Sequence, residues 1–235
     1  MICRSCNQEH NNNFCPNCGE KRDVEKITLT SMMSYAFASV TNMDKGFLLN
    51  LKMLLLKPQR ITSEYLNGKR KGILNPISFL ILSVTLYLVV LELFKIPKKP
   101  SDISKLPSGT LETLGNMSYK AGQFIRTYLK FFWILAIIPL GLAQKLIFRK
   151  YNFTEHLAIS SFIIGQATLV GIISYLILRW PLIFDPVIYI MITWMVYRVF
   201  RTNNKLDSLL LAFVVLFLFI LQLILITFLI GLSQV

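Results

Sequence analysis

Residues 157–178 read LAISSFIIGQATLVGIISYLIL. This stretch of 22 residues carries no charged side chain. As a helix rising 1.5 Å per residue it would extend about 33 Å, enough to cross the roughly 30 Å hydrocarbon core of a bilayer. Small residues recur in it at four-residue spacing, Ser161 with Gly165 and Ala167 with Gly171. Such pairs let helices approach closely in lipid, so this helix is expected at the centre of a bundle.

Four further apolar blocks lie on either side, at 76–96, 125–148, 180–199 and 208–232. The first opens on Asn75-Pro76, a cap followed by a first-turn proline, and carries Glu92 near its far end. The second holds Pro139 and Gly141, which should bend it, and has 14 residues between Lys130 and Lys145. Lysines near helix ends can snorkel, so a full span is still expected. In the fourth, Asp185-Pro186 reads as a helix start that would shorten the span. The fifth is almost all Leu, Phe, Ile and Val and is expected to face lipid. Gln144 and Gln222 are lone amides able to join helices.

The chain as a whole is 54% hydrophobic, above the 45–50% or so of an ordinary soluble domain, and the excess sits after Gly72. The expected fold class is therefore an all-α integral membrane protein with about five transmembrane helices. Three regions follow: a zinc ribbon at 1–22, cytoplasmic amphipathic interfacial helices at 23–72, and the transmembrane bundle at 73–235.

The ribbon rests on Cys3-x-x-Cys6 and Cys15-x-x-Cys18, the chain's four cysteines. A two-residue gap lets one tight turn offer two sulfurs, and four thiolates suit a closed tetrahedral zinc site. Some twenty residues bury too little to fold alone, so the metal is expected to be structural. Iron in a rubredoxin-like site and a redox dithiol pair are the alternatives. His10 is a spare donor. The polar first twenty residues lack an apolar signal core, so the N-terminus is expected to stay in the cytoplasm.

In the middle region Leu29, Met33, Ala36, Phe37 and Val40 recur at helical spacing, with Thr28 or Thr30 as cap. A second short helix after Asp44 carries Phe47, Leu48, Leu51, Leu54 and Leu55 beside Lys45, Lys52 and Lys57, and Pro58 interrupts it. Helices of this kind either lie in the membrane interface or pack on the bundle. Lys69, Arg70 and Lys71 then precede the first span, as a topology signal or as a site for lipid headgroups.

Charge supports five spans. With the N-terminus inside, the loops at 145–156 and 198–207, each with three Lys or Arg, also fall inside, and Arg179 falls outside. Segment 97–124 is the exception, with Lys98, Lys99, Lys105 and Lys120 on the outer side. The net charge of +13 flanks apolar blocks, which favours anionic membrane over nucleic acid as the partner.

The order of FCPNCGEKR, DKGF (residues 44–47), LKPQRITSEYLNGKRKGILNP and YNFTEHL (residues 151–157) resembles a bacterial membrane family of unknown function. A more distant similarity is to the five-span Yip family of trafficking proteins. The resemblance implies an architecture in a bacterial inner membrane rather than a reaction.

Candidate polar residues are Glu155 and His156, at the start of the third span, and Asp185. Thr154 could cap that span, and His156 could titrate near neutral pH. No Gly-x-Ser-x-Gly, His-Glu-x-x-His or phosphate-loop pattern occurs, so no enzyme is expected. The expected function is an inner-membrane adaptor that docks a cytoplasmic protein through the ribbon. The alternative is a small transporter or lipid-handling protein that works through the bundle.

Overall fold

The computed structural model describes residues 2–21, 28–30, 32, 46–94 and 133–232. Among these it is helical, with seven α-helices: α1 Gly46–Leu56, α2 Pro58–Leu66, α3 Pro76–Leu93, α4 Ile137–Ile147, α5 Phe153–Leu178, α6 Pro186–Val199 and α7 Lys205–Leu232. Single 3-10 turns at Trp133–Ala136 and Leu182–Phe184 lead into α4 and α6. The helix expected around Leu29 to Val40, and segment 97–124 with its four lysines, fall largely or wholly outside the described residues.

Three helices are long and apolar enough to cross a membrane: Pro76–Leu93, Phe153–Leu178 and Lys205–Leu229. The stretches Trp133–Ile147 and Pro186–Val199 are shorter apolar helices. The 14 residues of α6 reach only about 21 Å. Its start is Pro186 rather than residue 180, because Asp185 caps it through Val187 N–H at 2.9 Å and proline fixes the first turn. The first eight residues of the expected second span, 125–132, lie outside the described residues.

The third span also begins earlier than its apolar run. Asn152, not Thr154, is its cap: Asn152 Oδ1 accepts from Glu155 N–H at 2.7 Å, and Glu155 Oε2 accepts from Asn152 N–H at 2.8 Å. This reciprocal pair satisfies two donors of the first turn, so Glu155 and His156 are helical.

Helix α5 is the centre of the bundle, buried from His156 through Leu169. Helix α3 runs parallel to it. Phe79 packs on Phe162 at 6.1 Å between ring centroids, and one helical stretch further along both, Tyr87 meets Tyr175, also at 6.1 Å. The seam closes at Gly165, where a Cβ would lie 2.8 Å from Phe79 Cδ1 and 3.3 Å from Leu80 Cα. Helix α4 runs antiparallel to α5: Trp133 Nε1 donates to Thr168 Oγ1 at 2.9 Å, and Ser160 Oγ donates to Gln144 Oε1 at 3.3 Å. Helix α6 is antiparallel too, with Gly171 against Ile188 and Phe200 against His156. Hydroxyls of Ser83, Ser161, Thr168 and Thr193 donate to the carbonyl four residues back, which keeps them satisfied where water is absent.

Helix α7 buries one stripe, Ala212, Val215 and Phe219. Leu211, Leu216, Leu218 and Leu223 are half-buried, and the other described Leu and Phe side chains of the helix are exposed, as suits a helix that faces lipid. The ends fall into two layers. Where α3, α5 and α7 begin, Lys69 to Lys71, Arg149, Lys150, Arg198, Arg201 and Lys205 gather. At the opposite end, Arg179 is the only basic residue among those described.

Candidate metal centre and its seat on the bundle

The two Cys-x-x-Cys turns repeat one another twelve residues apart. Cys3 N–H donates to Gln8 O and Asn7 N–H to Cys3 O, while Cys15 N–H donates to Glu20 O and Gly19 N–H to Cys15 O. Single bridges close each turn, Ile2 with Glu9 and Phe14 with Lys21. The residue after each second cysteine is left-handed, Asn7 at φ 60° and Gly19 at φ 72°, a conformation open to glycine and tolerated by asparagine.

These turns bring four sulfurs together, all within 4.8 Å of one another, so the set could hold a metal ion. Cys3 Sγ lies 3.5 Å from Cys18 Sγ, and Cys6 Sγ 3.5 Å from Cys15 Sγ. A tetrahedron with metal–sulfur bonds of about 2.3 Å has edges of about 3.8 Å, so the donors fit with small adjustment. Protonation also favours a cation. Burial works against ionising Cys15, but the backbone N–H groups of Cys18 and Asn17 outweigh it and bring the thiol down to about 6. Backbone N–H groups, that of Cys6 first, lower Cys3 as well. At Cys18 the Glu20 N–H pulls the same way, yet burial and the other three thiols push it up to about 12. Four thiolates cannot coexist here without a positive ion between them. His10 Nδ1 is engaged at 3.1 Å with Asn12 O instead.

The knot is fastened to the turn between α2 and α3. Glu20 Oε2 accepts from Lys71 N–H at 3.1 Å, and Arg4 Nη1 donates to Asn67 O at 3.1 Å. That turn is itself pinned from below. Asn50 of α1 is fully buried and pairs with both backbone groups of Leu74, accepting from its N–H at 3.4 Å and donating to its carbonyl at 3.3 Å. Asn75 caps α3 through Ile77 N–H at 3.0 Å and donates to Met32 O at 3.3 Å. Sequence reasoning missed Asn50, Glu20 and Arg4. The one available signal was a lone amide inside the apolar run GFLLNLKMLLL.

The basic triplet is part of this seat. Lys69 Nζ lies 3.3 Å from Glu64 Oε2, the Arg70 guanidinium stands 5.6 Å over the Tyr65 ring, and Lys71 gives its backbone N–H to the knot while its side chain is exposed. The other candidates sit elsewhere. His156 is fully buried, and its Nε2 lies 2.8 Å from Phe148 O. The carbonyl can only accept, so Nε2 carries the proton. Asp185 lies at the far end of the bundle. One oxygen caps α6, the other is buried without a hydrogen bond, and Tyr87 is within electrostatic reach. The structure therefore brings the four cysteines together and ties them to Lys71, but holds His156 and Asp185 at opposite ends of the bundle.

A model of the family described as "Protein of unknown function (DUF3667)" matches residues 44–88. That segment takes in α1, α2 and the greater part of α3, with Asn50, the basic triplet and Asn75 in it, and leaves out the cysteines and YNFTEHL. No curated protein matches the chain, nor does any solved structure.

Proposed function

We propose that this chain is a multi-pass adaptor of a bacterial inner membrane, carrying a structural zinc ribbon on its cytoplasmic face. Zinc is the reading for four thiolates in a closed set, since no position is left for a substrate. Helices α4 and α6, with their 3-10 leads, complete five crossings, a layout similar to Yip-type proteins. The N-terminus lies with the basic ends of the bundle, as the positive-inside rule asks. The proposal involves no catalytic step.

The observation that carries this proposal is the seat of the knot: two hydrogen bonds hold it on the turn before α3. Fixed there, it turns two equivalent apolar side chains outward, Ile2 at 60% and Phe14 at 61% exposure. Exposed apolar groups on a rigid polar module suit a protein partner. The test is capture of a stoichiometric partner by the tagged full-length protein in mild detergent, followed by rebinding of the two purified components. Cys15→Ser/Cys18→Ser and Ile2→Asp/Phe14→Asp should each lose the partner, the second with zinc still bound. Undiminished capture by both variants would exclude docking through the ribbon.

A transporter or lipid-handling role is the second reading. Gln166 has both amide atoms buried without a hydrogen bond, as has one oxygen of Asp185, and intramembrane polar groups of this kind often serve function. Solute or lipid movement in vesicles that Asp185→Asn slows would favour it over the adaptor.

A further inference from the structure

We propose that the corner made by the α4–α5 and α6–α7 loops binds the phosphate headgroup of an anionic membrane lipid. The two loops are far apart in sequence, and an aromatic floor joins them. Phe148 stacks on Phe200 with centroids 4.2 Å apart and planes 2° from parallel. The rings of Tyr151 and His156 close on Phe200 at 6.2 and 5.7 Å. Arg149 and Lys150, which lie between Phe148 and Tyr151, are thereby brought to the loop that carries Arg201 next to Phe200.

Among the described residues these cations have no anionic partner. Arg149, Lys150, Arg201 and Lys205 are exposed, and the ion pairs among the described residues are those of Glu64 with Arg60 and Lys69. Three basic groups rest on rings instead: Lys150 over Tyr151 at 5.2 Å, Arg198 over Trp194 at 5.9 Å and Arg201 over Tyr197 at 6.0 Å. The two acids of the corner are engaged. Glu155 accepts from Asn152 N–H, and Asp207 Oδ2 accepts from Asn204 Nδ2 at 2.7 Å. Helices α5 and α7 both begin here, so their positive ends add to the field.

What selects a lipid over a soluble anion is the apolar surface at the same helix ends. Leu146 in the last turn of α4 and Leu206 and Leu210 in the first turns of α7 are 62%, 71% and 63% exposed, apolar groups that suit the acyl chains of a lipid whose phosphate is bound. In the Lys69–Lys71 triplet, by contrast, Lys69 is neutralised by Glu64 and the Lys71 backbone is tied to Glu20 of the knot.

The test is native mass spectrometry of the delipidated full-length protein with added phosphatidylglycerol or phosphatidylcholine. Phosphatidylglycerol adducts should exceed those of phosphatidylcholine several-fold. The excess should vanish in Arg149→Gln/Lys150→Gln/Arg201→Gln and persist in the charge-keeping Arg149→Lys/Lys150→Arg/Arg201→Lys. Should the neutral triple variant fail to fold, Arg201→Gln alone must lower the excess, and added salt must lower it in the unaltered protein. Equal adducts of the two lipids, or a preference indifferent to charge and to salt, would overturn the proposal. Displacement of phosphatidylglycerol by inorganic phosphate would overturn it in favour of a free-anion site.

Discussion

Asn50 does the work of a short strand partner for Leu74, offering one donor and one acceptor to its backbone. Asn50→Leu keeps the volume and leaves both backbone groups buried without a partner. A loss of about 1–3 kcal/mol is expected, read as a lower melting temperature and faster proteolysis within residues 67–73. Unchanged melting would show that water replaces the amide. Glu64 is the other informative residue of this layer. A hydrogen bond from Arg60 at 2.8 Å, helped by Lys69, holds its carboxyl below the ordinary range. A folded pKa below the unfolded value stabilises above the unfolded pKa, and this is lost as pH falls through the folded one. The melting difference between the native protein and Glu64→Gln should therefore be present near neutral pH and fade as pH falls below the ordinary carboxylate range. A difference that stays constant over that range would rule the carboxylate out as its source.

Among the elements, the α3–α5 seam is the one with least slack. A Cβ at Gly165 meets Phe79 and the Leu80 backbone, whereas at Gly171 it meets the end of the Ile188 side chain, 2.7 Å from Cδ1. A side-chain end can rotate and a backbone atom cannot, so Gly165→Ala should cost about 1–3 kcal/mol and Gly171→Ala less. Unfolding in a detergent titration measures both, and the reverse order would mean that α3 is free to shift. The sequence foretold a close approach at these glycines because small residues at four-residue spacing are a local pattern. It did not foretell which helix comes close, because the pairing of Phe79 with Gly165 depends on contacts that no window of residues contains. The cysteine turns were legible for the same local reason. The start of α5 was misplaced because hydropathy begins at Leu157, while the capping box of Asn152 and Glu155 begins the helix four residues sooner. The short α6 was half legible, since Asp185-Pro186 announces a start whatever the apolar run before it.

For the whole molecule, the proposed metal makes the knot and the bundle two differently stabilised bodies joined at one turn. About twenty residues folded around a metal would depend on it, and a bundle of apolar helices would not. Chelation should expose the amides of residues 2–21 and 67–73 to hydrogen exchange and leave those of α3, α5 and α7 protected. Protection of the knot that survives chelation would show that it folds without metal. The layering of charge makes a second prediction at this scale. A protease site inserted at residue 203 should be cut from the same side as one at 150, and one at 183 from the other. Cutting of 183 and 203 from one side would mean that α6 does not cross.

The parallel pairing of α3 with α5 also bears on how the protein is made. Phe79 and Gly165 lie 86 residues apart, and a ribosome adds about 5–20 residues each second. The first helix thus waits for several seconds in the bilayer before its partner is synthesised. During that interval Phe79 has Phe47 of α1 beside it, but the face of α3 that α5 will cover has only lipid, the translocation machinery or a chaperone for company. A newborn chain stalled before residue 165 is the form in which quality-control proteases would most readily recognise it.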